Sequence, residues 1–331
     1  MEANVSLGTA SRVINNYTDV NPALKQRVDH AIEKLGYTPD ALAQSMRFRS
    51  TRTVGILIRD FSSPAFVEFA SVAQGILFAH GYVPLLAGYE DEPQRELDIM
   101  RAFAQRRIDG LIVTTSSDSN KELAAARRRL GVPTILFDRD PEGQDTIAID
   151  HKGGIRVALQ HLTELGHRHI ALVTGQPDVR PARERIAAFQ KYHSDLRLTL
   201  DRQLIRAGSF SAEFAELQVA EMLFMPDPPT AIIAGGVNML PGVLKAIRGA
   251  RLRIPDDVSV ICSTNSEIAE LVTPAISELR VDYAAIGREA SALIMKRLEG
   301  TAIGGPHILQ FETTLIGRDS CAPPPRTVGR S

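Results

Sequence analysis

Ser6, Thr9, Ser11, Arg12 and Asn15 place three hydroxyls, a guanidinium and an amide within ten residues, SLGTASRVIN. Hydroxyls and amides suit phosphate oxygens, and an arginine can bond guanine O6 and N7 through two parallel hydrogen bonds. To present these groups together the segment must be a short helix. Ser6 is its N-cap, able to accept from the backbone N–H of Gly8 or Thr9. Ala10, Val13 and Ile14 share one face, which leaves Leu7, Gly8, Ser11, Arg12 and Asn15 on the other. Apart from Leu7 that outer face is small or polar, so a DNA major groove could receive it. An ordinary surface helix would also satisfy these residues.

A second group of polar residues follows runs that read as strands. After Val54–Ile58 comes Asp60-Phe61-Ser62-Ser63-Pro64-Ala65-Phe66. Ser62 and Ser63 can donate to a ligand oxygen, and Phe66 can stack on a sugar-like ring. Asp138-Arg139 follows the strand Thr134–Phe137, and a loop after Ile170–Val173 leads to Arg183 and Arg185. Ligands of open α/β sheets bind at the carboxyl ends of strands, and clefts between domains are favoured. Other groupings carry less. Asp150-His151 could serve acid–base chemistry, but no nucleophile is spaced to use it. His167-Arg168-His169 lacks a third metal ligand. Gly153-Gly154 and Gly235-Gly236 do not form a phosphate loop. The run Arg127-Arg128-Arg129 reads as a solvated helix end. No metal, cofactor or catalytic residue is therefore expected.

The elements that must position these residues fall into two patterns. Asn21-Pro22 is an N-cap followed by proline at the first helical position. Leu24, Val28, Ala31, Ile32 and Leu35 mark an amphipathic helix that Gly36 ends. Pro39, the small-residue stretch Ala41–Met46 and the basic residues Arg47, Arg49 and Arg52 follow. From Thr53 strands alternate with helices, which implies parallel sheets covered on both faces. Helices are expected at Phe66–His80, Pro93–Arg107, Gly154–Leu165, Ala182–Tyr192, Ala212–Phe224, Leu240–Arg248 and Tyr283–Leu298. The strands between them include Val83–Ala87, Gly110–Val113, Ala231–Ala234 and Val258–Cys262, with a short one near Leu204-Ile205. Ser277–Arg280 should return the chain to the first sheet and His307–Phe311 should cross back again.

The 331 residues suggest about two domains and an appendage. An apolar fraction of 44% is that of an ordinary globular protein. Net charge is −1, which argues against a generic polyanion binder. The first 52 residues differ slightly, with seven basic residues (Arg12, Lys25, Arg27, Lys34, Arg47, Arg49, Arg52) against five acidic ones (Glu2, Asp19, Asp29, Glu33, Asp40). Cys262 and Cys321 stand alone, so no disulfide framework is expected. With neither a signal peptide nor an apolar run long enough to span a bilayer, a cytoplasmic location without membrane contact is expected.

VSLGTASRVINN and VNPALKQRVDHAIEKLGYTPDALAQSM resemble the DNA-binding headpiece of the lactose-repressor (LacI/GalR) family of bacterial transcription regulators. The rest of the chain resembles that family's effector-binding core, which shares the fold of periplasmic sugar-binding proteins. The resemblance implies that Leu7, Gly8 and Arg12 read bases while Ser6, Thr9, Ser11 and Asn15 meet phosphates. It identifies 41–46 as the hinge helix, with Leu42 and Met46 at the minor groove and Met46 as the wedge. Gly8 departs from the family's larger side chain. Ahead of Val5 the family carries a further helix that braces the recognition helix. The expectation is a misassigned start or a lost brace, with Val13 and Ile14 exposed without it.

In the core the resemblance matches Asp138 and Arg185 to the carboxylate and guanidinium that hold the effector. Two departures follow. Gly235-Gly236-Val237-Asn238 stands where the family has Asn-Asp, and Cys262-Ser263-Thr264-Asn265 stands where it has Gly-Tyr/Phe-Asp-Asp. Asn238, Thr264 and Asn265 could still bond a polyol. With fewer acids near Arg185, a sugar acid or sugar phosphate is easier to accommodate than in relatives that keep them.

The expected organisation is a helix-turn-helix headpiece at 1–38, and a hinge and linker at 39–52. Two doubly wound parallel-sheet α/β subdomains follow, at 53–150 plus 281–309 and at 151–280 plus 310–321, with a disordered tail at 322–331. The expected function is an effector-controlled regulator, most simply a repressor and not an enzyme, acting as a homodimer on palindromic double-stranded DNA. Phe66, Phe69, Val72, Ala73, Ile76 and Leu77 form a face that either pairs with a second copy or is buried in the core. A solute-binding protein would call for a signal peptide and no headpiece. An effector-binding dimer with a defective headpiece remains the closest rival.

Overall fold

The computed structural model describes residues 2–14, 20–36, 50–302 and 304–325. It divides into two compact units, Met1–Arg52 and Thr53–Ser331. The expected DNA contacts Asn15, Leu42 and Met46, and with them the hinge helix at 41–46, lie outside the described residues.

In the first unit α1 spans Leu7–Ile14 and α2 spans Pro22–Leu35. Ser6 Oγ accepts from the backbone N–H of Thr9 at 3.1 Å and lies 2.9 Å from Thr9 Oγ1, so the cap forms on the second of the two expected donors. Asn21 Oδ1 accepts from Ala23 N at 2.9 Å, and Gly36 closes α2 at φ 57°, where a Cβ would be strained. Val13 is only 3% exposed, with Val28 and Ala31 buried on α2. The expectation that Val13 and Ile14 stand exposed is corrected, because α2 packs against α1 and leaves Ile14 half-buried. Arg27 Nη2 donates to Asn4 O at 2.6 Å, and Lys34 pairs with Glu2 at 2.6 Å, tying the first residues to α2.

The second unit holds two six-stranded sheets. The first contains β1 (Thr53–Ile58), β2 (Val83–Gly88), β3 (Gly110–Val113), β4 (Thr134–Phe137), β5 (Asp145–Ile149) and β11 (Ile308–Phe311), ordered β11-β5-β4-β3-β1-β2 and parallel throughout. The second contains β6 (Ile170–Gly175), β7 (Ile205–Gly208), β8 (Ala231–Ala234), β9 (Ser259–Cys262), β10 (Ser277–Arg280) and β12 (Thr314–Ile316), ordered β12-β10-β9-β8-β6-β7. There β12 runs antiparallel to β10 and the other pairs are parallel. Strands such as Leu111–Val113 and Ile232–Ala234 are buried end to end, as a sheet covered on both faces requires.

The helices are α3 (Pro64–Ala79), α4 (Pro93–Gln105), α5 (Lys121–Leu130), α6 (His151–Glu164), α7 (Arg180–Asp195), α8 (Ala212–Leu223), α9 (Leu240–Gly249), α10 (Glu267–Leu271) and α11 (Tyr283–Leu298). Among the described residues no helix is long and apolar enough to cross a membrane. The chain passes between the sheets at Asp150, at Val281-Asp282 and at Glu312-Thr313. These crossovers are stitched side by side: Asp150 N donates to Phe311 O at 2.8 Å and Thr313 Oγ1 to Asp150 O at 3.0 Å.

Several expectations need correction. Ser277–Arg280 remains in the second sheet as β10, and residues 310 and 311 belong to the first sheet with β11. The third boundary therefore falls at 312–313 rather than at 309–310. Ala322, placed in the disordered tail, donates through its N–H to Ser259 Oγ at 3.1 Å, and its carbonyl accepts from His167 Nε2 at 2.8 Å. With Thr230 Oγ1 at 2.8 Å from Nδ1, that histidine is a strand-end clamp. Arg127 is no solvated helix end: it is 2% exposed and donates to Glu142 at 2.9 Å. On α3, Phe69, Ala73 and Leu77 face the core, where α11 covers them. Its exposed apolar residues are Val67 and Phe78 on the other side.

Candidate functional site

Both sheets direct strand C-termini toward one cavity of about 80 Å³. The first sheet supplies Arg59 after β1, Ser63 and Phe66 at the start of α3, Phe137, Asp138 and Arg139 at the end of β4, and Ile149 and His151 where β5 meets α6. The second supplies Pro181 and Arg185 on α7, Phe210 after β7, Gly236 after β8 and Thr264 after β9, and Tyr283 closes the floor from α11. Ser63, Phe66, Asp138, Arg185 and Thr264 thus line the same space.

Two expected contacts do not line it. Asn238 Nδ2 donates to Ser62 Oγ at 2.8 Å, so these side chains bond each other across the cleft. Ser62 is held in turn by Asp60 Oδ1, 2.9 Å from its N–H and 2.5 Å from its hydroxyl. Asn265 is also occupied, exchanging 2.8 Å bonds with the backbone of Val281 at a crossover. Thr264 Oγ1 lies 3.3 Å from Tyr283 Oη.

The walls are aromatic and cationic. Phe66 meets Phe137 edge to face at 5.9 Å. Phe210 is seated against the backbone of Gly175 and Gly236, where a Cβ would come within 2.1 and 2.8 Å of its ring. Arg59 lies 5.6 Å from the centre of that ring and pairs with Asp60 at 2.9 Å. Arg139 is fully engaged, donating to Thr115 O at 2.7 Å, Asp138 O at 2.8 Å and Tyr89 Oη at 3.4 Å.

Arg185 differs from these. It is 5% exposed, lines the cavity, and has no hydrogen bond or ion pair among the described residues. Burial pushes its pKa down against the pull of Asp138, yet a guanidinium does not lose its proton in proteins. A desolvated cation without a counter-ion is costly.

Asp138 has its oxygens already engaged. Oδ1 accepts from Arg180 Nη1 at 2.9 Å and from Ile149 N at 3.2 Å, while Oδ2 lies 2.8 Å from His151 Nε2. Burial opposes a charge there, but His151, Arg180 and Arg139 outweigh it and hold the carboxyl well below the usual range. For His151 burial dominates: with Arg185 and Arg180 adding to it, the ring is pushed down to about 4 despite Asp138. The pair is therefore a carboxylate and a neutral imidazole at neutral pH. The Asp150-His151 dipeptide did signal a titratable group, but only the left-handed turn at Asp138 (φ 54°) brings its carboxylate to the ring. Nothing in the spacing marked Phe210, Arg59 or Tyr283.

Further contacts bridge the cleft away from the cavity. Asp118 Oδ2 accepts from Arg180 N at 2.6 Å, and Arg183 pairs with Asp140 at 2.6 Å. Among the described residues there is no cluster of metal-ligating side chains.

A two-lobed core around a ligand cavity, accompanied by a capped helical unit, defines an effector-binding DNA-binding transcription regulator. Residues 1–40 match the model of bacterial regulatory proteins of the lacI family, and 159–321 match the periplasmic binding protein-like domain. The HTH-type transcriptional repressor PurR of Aliivibrio salmonicida (strain LFI1238) is 31% identical over 299 residues, covering 90% of each chain. That of Vibrio vulnificus (strain CMCP6) is 27% identical over 96% of each. The structure of a transcriptional regulator CelR–cellobiose complex superposes with a TM-score of 0.75 at 28% identity, over 96% of this chain and 97% of that one. The lac repressor dimer bound to operator and the anti-inducer ONPF shares the fold, with a TM-score of 0.84 at 24% identity over 97% of each. The chain belongs to the lacI family of bacterial regulatory proteins. It is a DNA-binding transcriptional repressor with an effector-binding domain, and its matched relatives are repressors rather than enzymes.

Proposed function

We propose that this repressor is controlled by a small effector bearing a carboxylate or phosphate, of the sugar-acid or sugar-phosphate class, held between the two lobes by Arg185. The unpartnered, buried guanidinium carries this reading. Aromatic walls at Phe66 and Phe210 would cover the effector's apolar faces, and Ser63 and Thr264 would bond its oxygens. Acting in the cytoplasm as a homodimer, the protein would place two copies of α1 on the half-sites of a palindromic operator. Leu7, Gly8 and Arg12, all exposed on α1, would face base edges, and Ser6, Thr9 and Ser11 would face phosphates.

Calorimetry with D-glucose, D-gluconate and glucose 6-phosphate tests the effector. An acidic member should bind best and lose at least tenfold in Arg185→Gln; a neutral sugar binding best refutes the proposal. For DNA, genomic fragments captured by the protein and sequenced should reveal palindromic sites. Arg12→Ala should then weaken binding by about 1–3 kcal/mol at one base pair of each half-site.

A further inference from the structure

Arg185 accounts for the charge of a ligand, and His151 bears on its other polar atoms. The His151 ring lines the cavity, 6% exposed, with Nε2 2.8 Å from Asp138 Oδ2. Asp138 also collects the Arg180 guanidinium and the Ile149 N–H. A carboxylate receiving those donors is ionised and cannot itself donate, so the proton between it and the imidazole sits on Nε2. Arg180 and Arg185 face the same ring, and a second proton on it would add a third positive charge to a buried cluster. Nδ1 is then left as a bare lone pair, and it has no partner among the described residues. An asparagine side chain could turn to offer an oxygen or an N–H. This ring, fixed by Asp138, offers an acceptor alone.

We propose that His151 is a specificity-determining residue whose Nδ1 accepts a hydrogen bond from the effector. The acid held by Arg185 must then also carry a hydroxyl or amine donor. This rests on the acidic-effector reading given above. A plain acid would leave Nδ1 buried and unpaired, which disfavours it by about tenfold or more.

Two measurements on the whole chain test this. In the first, thermal shift is recorded with three kinds of probe: D-gluconate and D-glycerate (acid with hydroxyls), hexanoate and propionate (acid alone), and D-glucose and glycerol (hydroxyls alone). The hydroxy acids should stabilise most. His151→Phe should reduce them to the level of the plain acids, and His151→Gln, whose amide oxygen can accept, should restore part of the difference. Plain acids matching hydroxy acids, or a preference that survives His151→Phe, overturns the role of His151 while leaving the acid reading intact. Neutral polyols binding best overturns both.

In the second, the nitrogen-15 shifts of His151 are followed by NMR from pH 4 to 8 without ligand. The ring should be neutral at pH 7 with its proton on Nε2. A proton on Nδ1 at pH 7 overturns the proposal whatever the first measurement shows. If no probe shifts the melting point, a bare Nδ1 supports it by itself.

Discussion

Arg185 is a buried cation that the ligand-free fold does not need. Replacing it with methionine keeps most of the stem's packing and removes a desolvated charge, so Arg185→Met should raise the stability of the free protein by about 1 kcal/mol while abolishing acid binding. Denaturant unfolding with and without gluconate would show both effects. His151 makes a prediction about pH. Its folded pKa of about 4 lies below the ordinary 6.5, so between those values the unfolded chain binds more protons. Stability should therefore fall as pH drops from 6.5 toward 4, with a slope of up to about 1.4 kcal/mol per pH unit from this group, and His151→Gln should flatten that slope. Asp138 acts lower: its folded pKa is depressed, so its contribution is present above the unfolded carboxylate range and is lost as pH falls through the folded value. That Ser63, Phe66 and Asp138 line the cavity could be anticipated from the strands they follow, whereas Arg185, inside α7 and ten residues beyond β6, was matched only through the family resemblance. The role of His151 is not readable from its sequence neighbours, since its partner Asp138 follows a different strand. Ser62 and Asn238 were polar residues at strand ends, and only coordinates reveal that they satisfy each other.

At the scale of elements, helices were read more securely than strands. Tyr283–Leu298 has the bounds expected of it, and α3, α7 and α9 differ from expectation only near their ends. Each carries enough turns for its apolar stripe to be unambiguous. The four-residue strands β10 and β11 are too short to say which sheet they join, and both contain polar residues, Glu278 and Gln310. Strand β5 was missed because Asp145-Thr-Ile-Ala-Ile149 opens on an acid that pairs with Arg297 at 2.7 Å, a partner far along the chain. Helix packing gives a sharper test. A Cβ on Gly242 of α9 would come within 2.0 Å of Ala212 O on α8. Gly242→Ala should force the pair apart and cost about 2 kcal/mol, seen as a lower midpoint in urea. In the headpiece, Asn21→Ala removes the α2 cap and should cost about 1 kcal/mol of that unit's stability, read from circular dichroism at the helix band.

For the whole molecule, polar bridges join the two lobes across the cleft. They are Ser62–Asn238, Asp140–Arg183 and the Asp118 carboxylate on the Arg180 N–H. Asn238→Ala combined with Arg183→Ala removes two of them. Solution scattering of the unliganded double variant should show a larger radius of gyration than the parent, and gluconate should shrink the difference. The two-lobed α/β architecture followed from the alternation of strands and helices together with the family resemblance. These bridges did not, because they join loops whose sequence separation carries no periodic signal.

The threefold passage of the chain between lobes has a consequence for synthesis. The first sheet is complete only when residues 308–311 arrive, and the second only with 314–316. Until then each lobe exposes an unpaired strand edge, on β5 in one and on β10 in the other. Neither can finish while its last strand is still inside the ribosome, and those strands emerge one directly after the other, so the two lobes mature almost together. A nascent chain stalled shortly before residue 308 should accordingly be protease-sensitive and a strong client of chaperones, whereas one extended well past 325 should not.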